Sequence, residues 1–242
     1  VSSERAPDDP HQDRAGLLAI ARSFFAKQIV ASRATAHNPL LEVVRVNGRC
    51  VLNGRSVNYS FGSLHRVFEG AFAALNLQRR HIDDALVLGG GAGSVVQLLR
   101  RTYAPGCSIT AVEIDPVVIE LAREHFELDR TPELEIVCAD ALEYVRTARR
   151  RFDLVVVDLF VDDRVPPQFR TRAFVHQARE LLRPDGMLAF NVIDDTDLAR
   201  READEVGAVF AAVFRDSGRW NLSGNRVYHG VARVPRADER SG

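Results

Sequence analysis

The sequence predicts a doubly wound α/β fold on a mainly parallel sheet, and three observations predict it. From about residue 63 onward, short β-branched apolar runs alternate with segments whose apolar residues recur at helical spacing. The runs are apolar throughout, as strands covered on both faces are. The first run enters a helix through the glycine-rich turn of "VLGGGAGSVVQLLRR", residues 87–101. With 242 residues and 46% hydrophobic composition, the chain has material for one sizeable core and a small appendage.

Residues 1–12 are polar and contain Pro7, Asp8, Asp9 and Pro10, a composition that disfavours a packed core. Leu17, Leu18, Ala21, Phe24, Phe25 and Ile29 then recur every three or four residues and predict an amphipathic helix over 14–32. Such a helix could pack on the body or on a second copy, which leaves room for a homodimer. In "LLEVVRVNGRCVLNG" two apolar runs flank Asn47-Gly48, a strong hairpin signal, and this β element should end near Asn58-Tyr59. Leu64, Val67, Phe68, Ala71, Phe72 and Leu75 share one face of the next helix. Strands are expected at 85–88, 108–114, 134–138 and 153–159, with helices near 93–103, 116–127 and 140–149 between them. Asp115 as N-cap with Pro116 at the first helical position marks the start of the second of these helices. Further along come a loop from Leu159 to Arg170 read as a lid, a helix at 171–183 and a turn at Arg183-Pro184-Asp185-Gly186. A strand at 187–193, a helix at 197–214 and a strand at 226–234 follow. The divisions expected are 1–36 (tail and helix), 37–62 (small β element) and 63–242 (ligand-binding domain).

Composition narrows the function classes. No apolar run is long enough to span a bilayer and the start lacks the layout of a secretory signal, so a soluble, cytoplasmic protein without membrane contact is expected. Nearly all basic residues are arginine, with Lys27 the one lysine, but they are scattered and fall at expected helix ends, which argues against nucleic acid. Cys50, Cys107 and Cys138 lie far apart in strand-like contexts, so they read as buried free thiols and no metal is expected.

The loop Gly89-Gly90-Gly91-Ala92-Gly93-Ser94 departs from the dinucleotide fingerprint in its last glycine and lacks the Lys-Ser/Thr of a phosphate loop. Three acids at successive strand ends stand in register with it. Glu113, about 20 residues on, can accept from both ribose hydroxyls, and Asp140 can face an adenine amino group or serve as a helix N-cap. Asp158 sits where a reacting group would lie. Ribose and adenine without phosphate indicate S-adenosylmethionine or a relative. The cofactor-binding candidates at these places are Gly89, Gly90, Gly91, Gly93, Glu113 with its neighbour Ile114, and Asp140.

Together "VLGGGAGSVVQLLRR", "ITAVEIDPVVIELAREHF", "LEIVCADALEYV" and "FDLVVVDLF" resemble the spermidine synthase group of the class I methyltransferase fold, over about residues 40–195. The resemblance implies a seven-stranded sheet in the order 3-2-1-4-5-7-6 with the last strand antiparallel. It also implies ribose binding by Glu113, adenine binding by Asp140 with Ala141, and Asp158 as the base that takes an amine proton. "YSFGSLH" keeps the Tyr and His of a family motif as Tyr59 and His65, which join Asp158 as catalytic candidates. Ala92 stands where aminopropyltransferases have Asp, Phe61 replaces a motif Glu, and Val161 occupies the place of a polyamine-contacting Asp, with Asp162 and Asp163 displaced. The expected activity is transfer of a methyl or aminopropyl group, from S-adenosylmethionine or its decarboxylated form, to a small-molecule nucleophile such as an amine. Loss of charge at Ala92 tilts this slightly toward methyl transfer. The alternatives are a true polyamine aminopropyltransferase and, in another class, a non-catalytic cofactor-binding or scaffolding protein.

Overall fold

Alternation within the strands decides the layering. Leu86 and Leu88 point into one apolar layer and Ala85 and Val87 into the other, and Val155/Val157 and Leu154/Val156 repeat the division. In the computed structural model, which describes residues 20, 23, 26–54, 63–222 and 224–233, these strands form a seven-stranded sheet with helices on both faces. For Ser63 and Leu64 only the backbone is described.

The strands are β4 (Asp84–Leu88), β5 (Ser108–Glu113), β6 (Leu134–Cys138), β7 (Phe152–Val157), β8 (Leu182–Ile193), β9 (Asp216–Leu222) and β10 (Asn225–Val231). Their order is β6-β5-β4-β7-β8-β10-β9, and β10 runs antiparallel to both neighbours. Numbered within the sheet this is 3-2-1-4-5-7-6, the order the resemblance implies. The order reverses at β4, so the crevice where ligands bind such sheets opens beside the glycine loop, between β4, β5 and β7.

On one face lie α1 (Ser63–Ala74) and α2 (Ser94–Leu98), the latter continuing as a π-helical turn over Leu99–Tyr103. Phe68 and Phe72 of α1 are buried against Val87 and Val156. The other face is covered by α4 (Ala141–Thr147), α5 (Arg172–Glu180) and α6 (Asp197–Val213). Here Phe174, Phe190 and Phe210 meet edge to face at 6.4 and 6.0 Å, each ring adding about 0.5–1.5 kcal/mol beyond its burial. Helix α3 (Pro116–His125) starts as expected, with Asp115 Oδ1 accepting from Val117 N.

A second, three-stranded antiparallel sheet consists of β1 (Gln28–Arg33), β2 (Leu41–Val46) and β3 (Arg49–Asn53). Asn47 and Gly48 make the β2–β3 turn at positive φ, and Ser23 accepts from both their backbone N–H groups. Leu41, Val43 and Leu52 pack on Val118, Leu121 and Phe126, so the small sheet sits on α3.

Several sequence expectations need correction. Residues 28–32 are strand, not the end of a helix, because Gln28–Arg33 pairs along β2. Strand β9 lay unread in "DSGRWNL", whose polar, half-exposed residues suit a sheet edge better than a core. Strand β8 begins at Leu182, and the expected turn at 183–186 is a bulge within it, with Asp185 at φ 60°. Cys107 is buried, but Cys138 is exposed because β6 is the opposite edge. Among the described residues no helix is long and apolar enough to cross a membrane. The reading of residues 1–12 lies outside the described residues.

Candidate functional site

Strand β4 delivers the chain to the glycine loop at the carboxyl edge of the sheet. Gly89 adopts φ 89°, and a Cβ there would lie 2.1 Å from the carbonyl oxygen of Asp158, so any side chain would push β7 away. Gly93, at φ 83°, closes the loop against Leu128, which a Cβ would strike at 2.4 Å. Backbone N–H groups of Gly89 and Gly90 both donate to Val112 O, tying the loop to β5. Glu113, at the end of β5, accepts from Gly91 N through Oε2 at 2.9 Å and from Asp115 N through Oε1 at 3.1 Å. Burial pushes its carboxyl above the usual range, with these backbone donors pulling the other way.

Asp158 follows β7 and is anchored by its N–H to Leu88 O at 2.8 Å. Burial pushes its carboxyl up to about 7; a hydrogen bond from Asn191 opposes the rise and the negative charge of Glu113 adds to it. Asn191 Nδ2 donates to Asp158 Oδ1 at 3.0 Å, and Asn225 Nδ2 donates to Asn191 Oδ1 at 3.0 Å.

These residues line a cavity of about 560 Å³. Gly89, Gly90, Gly91, Glu113, Ile114, Asp140, Ala141 and Asp158 are all on its wall, so eight of the expected site residues come together there. Asp140 is also the N-cap of α4, its Oδ1 accepting from Leu142 N at 2.6 Å, which bears out the cap reading of that residue. Gly93 shapes the loop from behind. His65 lies half-buried on α1 and is not among the residues lining the cavity, while Tyr59 lies outside the described residues.

Two further expectations change. Ala92 is fully buried among Leu41, Val43 and Leu52 of the small sheet and Val118, Leu121 and Phe126 beyond them, so its side chain faces the apolar junction and not the cavity. The inference from its missing charge to methyl transfer therefore loses its basis. The segment 159–170 is a wall rather than a lid: Val165 and Phe169 are buried in the main core. Arg164 and Arg170 both pair with Glu202 of α6, which is itself buried. Within this wall the turn at Val161–Arg164 brings Asp163 to the cavity, so the displaced acid still faces it.

Sequence reasoning missed His37, Asn38, Asn191, Asp195 and Asn225, all on the cavity wall. Asn191 had a signal: it is the one polar residue in the apolar run "MLAFNVI". His37 and Asn38 had none, because they arrive through docking of the small sheet. Thr35 Oγ1 and Asn38 Nδ2 donate to Asp115 Oδ2 at 2.6 and 3.0 Å. Among the described lining residues there are five carboxylates, Glu113, Asp140, Asp158, Asp163 and Asp195, and no lysine or arginine. Among the described residues no cluster of three or more His, Cys, Asp or Glu side chains is arranged to hold a metal ion.

Comparison with known proteins places this geometry. A family model, the spermine/spermidine synthase domain, matches residues 73–217. An eEF1A lysine and N-terminal methyltransferase homolog of Drosophila melanogaster is 33% identical over 140 residues, covering 54% of this chain and 21% of that protein. A polyamine aminopropyltransferase of Vibrio vulnificus is 30% identical over 148 residues, 59% of this chain and 48% of that protein. The chain thus spans less than half the length of either relative. A spermidine synthase solved with the transition state analogue AdoDATO superposes with TM-score 0.69 at 18% identity, over 88% of this chain and 76% of that one, a likeness of fold. Human methyltransferase-like protein 13, solved with SAH, gives TM-score 0.61 at 25% identity over 73% of this chain and 85% of that one. With the family model covering more than half its length, the chain belongs to the spermine/spermidine synthase domain family, and the proteins similar to it include both aminopropyltransferases and methyltransferases.

Proposed function

We propose that this chain is a transferase that moves an alkyl group, methyl or aminopropyl, from S-adenosylmethionine or its decarboxylated form to an amine. The observation that carries the reading is Asp158, a carboxylate at the switch point of the sheet with no cation beside it among the described residues and its pKa raised to about 7. The two kinds of relative support the acceptor: one is named for lysine and N-terminal methylation, the other for polyamine aminopropylation. Both are transfers to nitrogen.

The residues present suit the donor. Glu113 is held by two backbone N–H groups, which aims its remaining lone pairs at a ribose diol, and Ile114 with Ala141 offers apolar surface to a purine beside Asp140. The donor supplies an activated carbon on a sulfonium, so the protein has to align the acceptor and take a proton. The amine nitrogen bonds to that carbon, the carbon–sulfur electron pair stays on sulfur, and the amine proton goes to Asp158. A base titrating near 7 is closer to an ammonium than an ordinary carboxylate, so less of the proton-transfer gap is left for desolvation to close.

A second observation favours the decarboxylated donor within this reading. Five carboxylates and no lysine or arginine among the described lining residues make the cavity a site for cations, and an intact α-carboxylate would enter it without a cationic partner. Calorimetric titration of both donors, followed by transfer assays with each radiolabelled donor against a panel of amines, tests the proposal. Transfer to an amine by either donor is the expected outcome, with tighter binding of the decarboxylated form. Donor binding without transfer to any amine would replace the transferase by a non-catalytic binding module.

A further inference from the structure

Asn191 is a costly residue where it stands. It is fully buried in β8 among Ala189, Phe190 and Val192, and an amide in such surroundings lowers stability unless its polar atoms are matched. Here both ends are matched in one direction. Its Nδ2 donates to Asp158 Oδ1, its Oδ1 accepts from Asn225 Nδ2, and both distances are 3.0 Å. Strand pairing builds the line: Val157 is opposite Phe190, and Asn191 is opposite Val227, two residues from Asn225. Three neighbouring strands therefore each contribute one member. Rotating the Asn191 amide by half a turn would set its oxygen against the carboxylate and its NH2 against the NH2 of Asn225, so the carboxylate opposes the wrong orientation at one end and Asn225 adds to it at the other.

Resting on the reading of Asp158 as proton acceptor, we propose that Asn191 and Asn225 are positioning residues: Asn225 fixes the Asn191 amide, and Asn191 occupies Asp158 Oδ1, leaving Oδ2 as the oxygen that receives the acceptor's proton. A carboxylate with one oxygen held loses that bond if it rotates away from the cavity, so the bond biases it toward one orientation. The same bond favours the ionised form and so sets how far burial can raise the acid. Among the described residues, the titratable groups that share the cavity with Asp158 are His37 before β2, Glu113 after the loop, Asp140 at the start of α4, Asp163 in the wall and Asp195 after β8, all acidic but His37. Arg226 of β10 is engaged with Asp194 and Asp204. Asn191 is therefore the neutral donor that offsets a negative surround.

Carbon-detected NMR of protein labelled at the aspartate carboxyls, with the Asp158 signal assigned by its loss in Asp158→Asn, reads this without an acceptor. In Asn191→Leu the midpoint of Asp158 should move upward by about half a pH unit or more, and in Asn225→Leu it should move the same way by less. Unchanged midpoints in both variants, with melting curves showing a native fold, would overturn the proposal. If Asn191→Leu does not fold, Asn225→Leu decides, since Asn225 is half-buried at a strand end. Shifted midpoints together with full transfer activity in Asp158→Asn would uphold the relay and remove the proton-acceptor role, so the two readings fail separately.

Discussion

The two ends of the central sheet carry carboxylates treated in opposite ways. At the amino-terminal edge, Asp84 of β4 pairs with both Arg150 and Arg183, and Arg183 also reaches Asp153 of β7 at 2.7 Å. Burial there works to raise Asp84, but the two guanidiniums outweigh it and hold the carboxyl below its usual range. At the carboxyl edge of the same sheet, Glu113 and Asp158 meet backbone N–H groups and an amide but, among the described residues, no cation, and both are raised. Both edges are formed by the same parallel strands, so the difference lies in what chain segments return to each end. Arginines come back to the lower end, where the charge is spent on cohesion; at the upper end Arg226 is taken up by Asp194, and among the described residues only neutral donors reach Glu113 and Asp158, which stay available to a ligand.

The largest effect that would break this comparison is on transfer. Asp158→Asn keeps the shape and can still accept from Asn191, but cannot take a proton, so turnover should fall by about 100-fold or more with donor affinity nearly unchanged. Near wild-type turnover in steady-state assays would make Asp158 a structural acid. Next comes Glu113→Ala, which should weaken donor binding by about 1.5–3 kcal/mol, the worth of hydrogen bonds to a charged group. Equal affinities by calorimetry would take Glu113 out of the site. At the opposite end Asp84→Ala should lower unfolding free energy by roughly 1–2 kcal/mol by leaving Arg150 and Arg183 without their shared partner, and donor affinity should stay as it was. Loss of donor binding in that variant would mean that the two ends are not separable.

The smallest effect sharpens the contrast through pH. Asp158 has a folded-state pKa above its unfolded value, so the native state binds the extra proton. Its contribution to stability is full below about 4 and is lost as pH rises toward 7. Asp84 has the opposite sign: its contribution is present above the ordinary carboxylate pKa and is lost as pH falls through its depressed value. The stability of Asp158→Asn relative to wild type should therefore be higher at pH 8 than at pH 5. Denaturant melts at both pH values check it, and an equal difference from wild type at the two would contradict the raised pKa.

What could be read beforehand follows the same line between local and assembled features. Asp115-Pro116, Asn47-Gly48 and the glycine loop are local devices whose chemistry is complete within a few residues, and the structure shows the cap, the hairpin turn and the crevice at those places. Strand β1 failed because Ile29 and its neighbours fit a helical stripe, whereas pairing with β2, a contact between distant residues, decides their conformation. Edge strand β9 failed because a half-exposed strand has no apolar run to betray it. At the site, Glu113, Asp140 and Asp158 were legible from strand ends alone. Ala92 was misread because position in a motif does not tell which side of a loop a side chain takes, and here the small sheet covers that side.

That small sheet is joined to the rest through Asp115, whose carboxylate is 1% exposed. It accepts from Thr35 and Asn38 on one oxygen and from Val117 N on the other, while its own N–H donates to Glu113. Lifting the small sheet would remove two donors from a buried anion, and uncapping α3 would remove the third. Neither event can occur at low cost while the other bonds persist, so the sheet, the first turn of α3 and the Glu113 carboxylate open as one cooperative unit. Amide exchange should then show the β2 amides and Val117 N–H released together, with a bound nucleoside slowing both even though it touches neither.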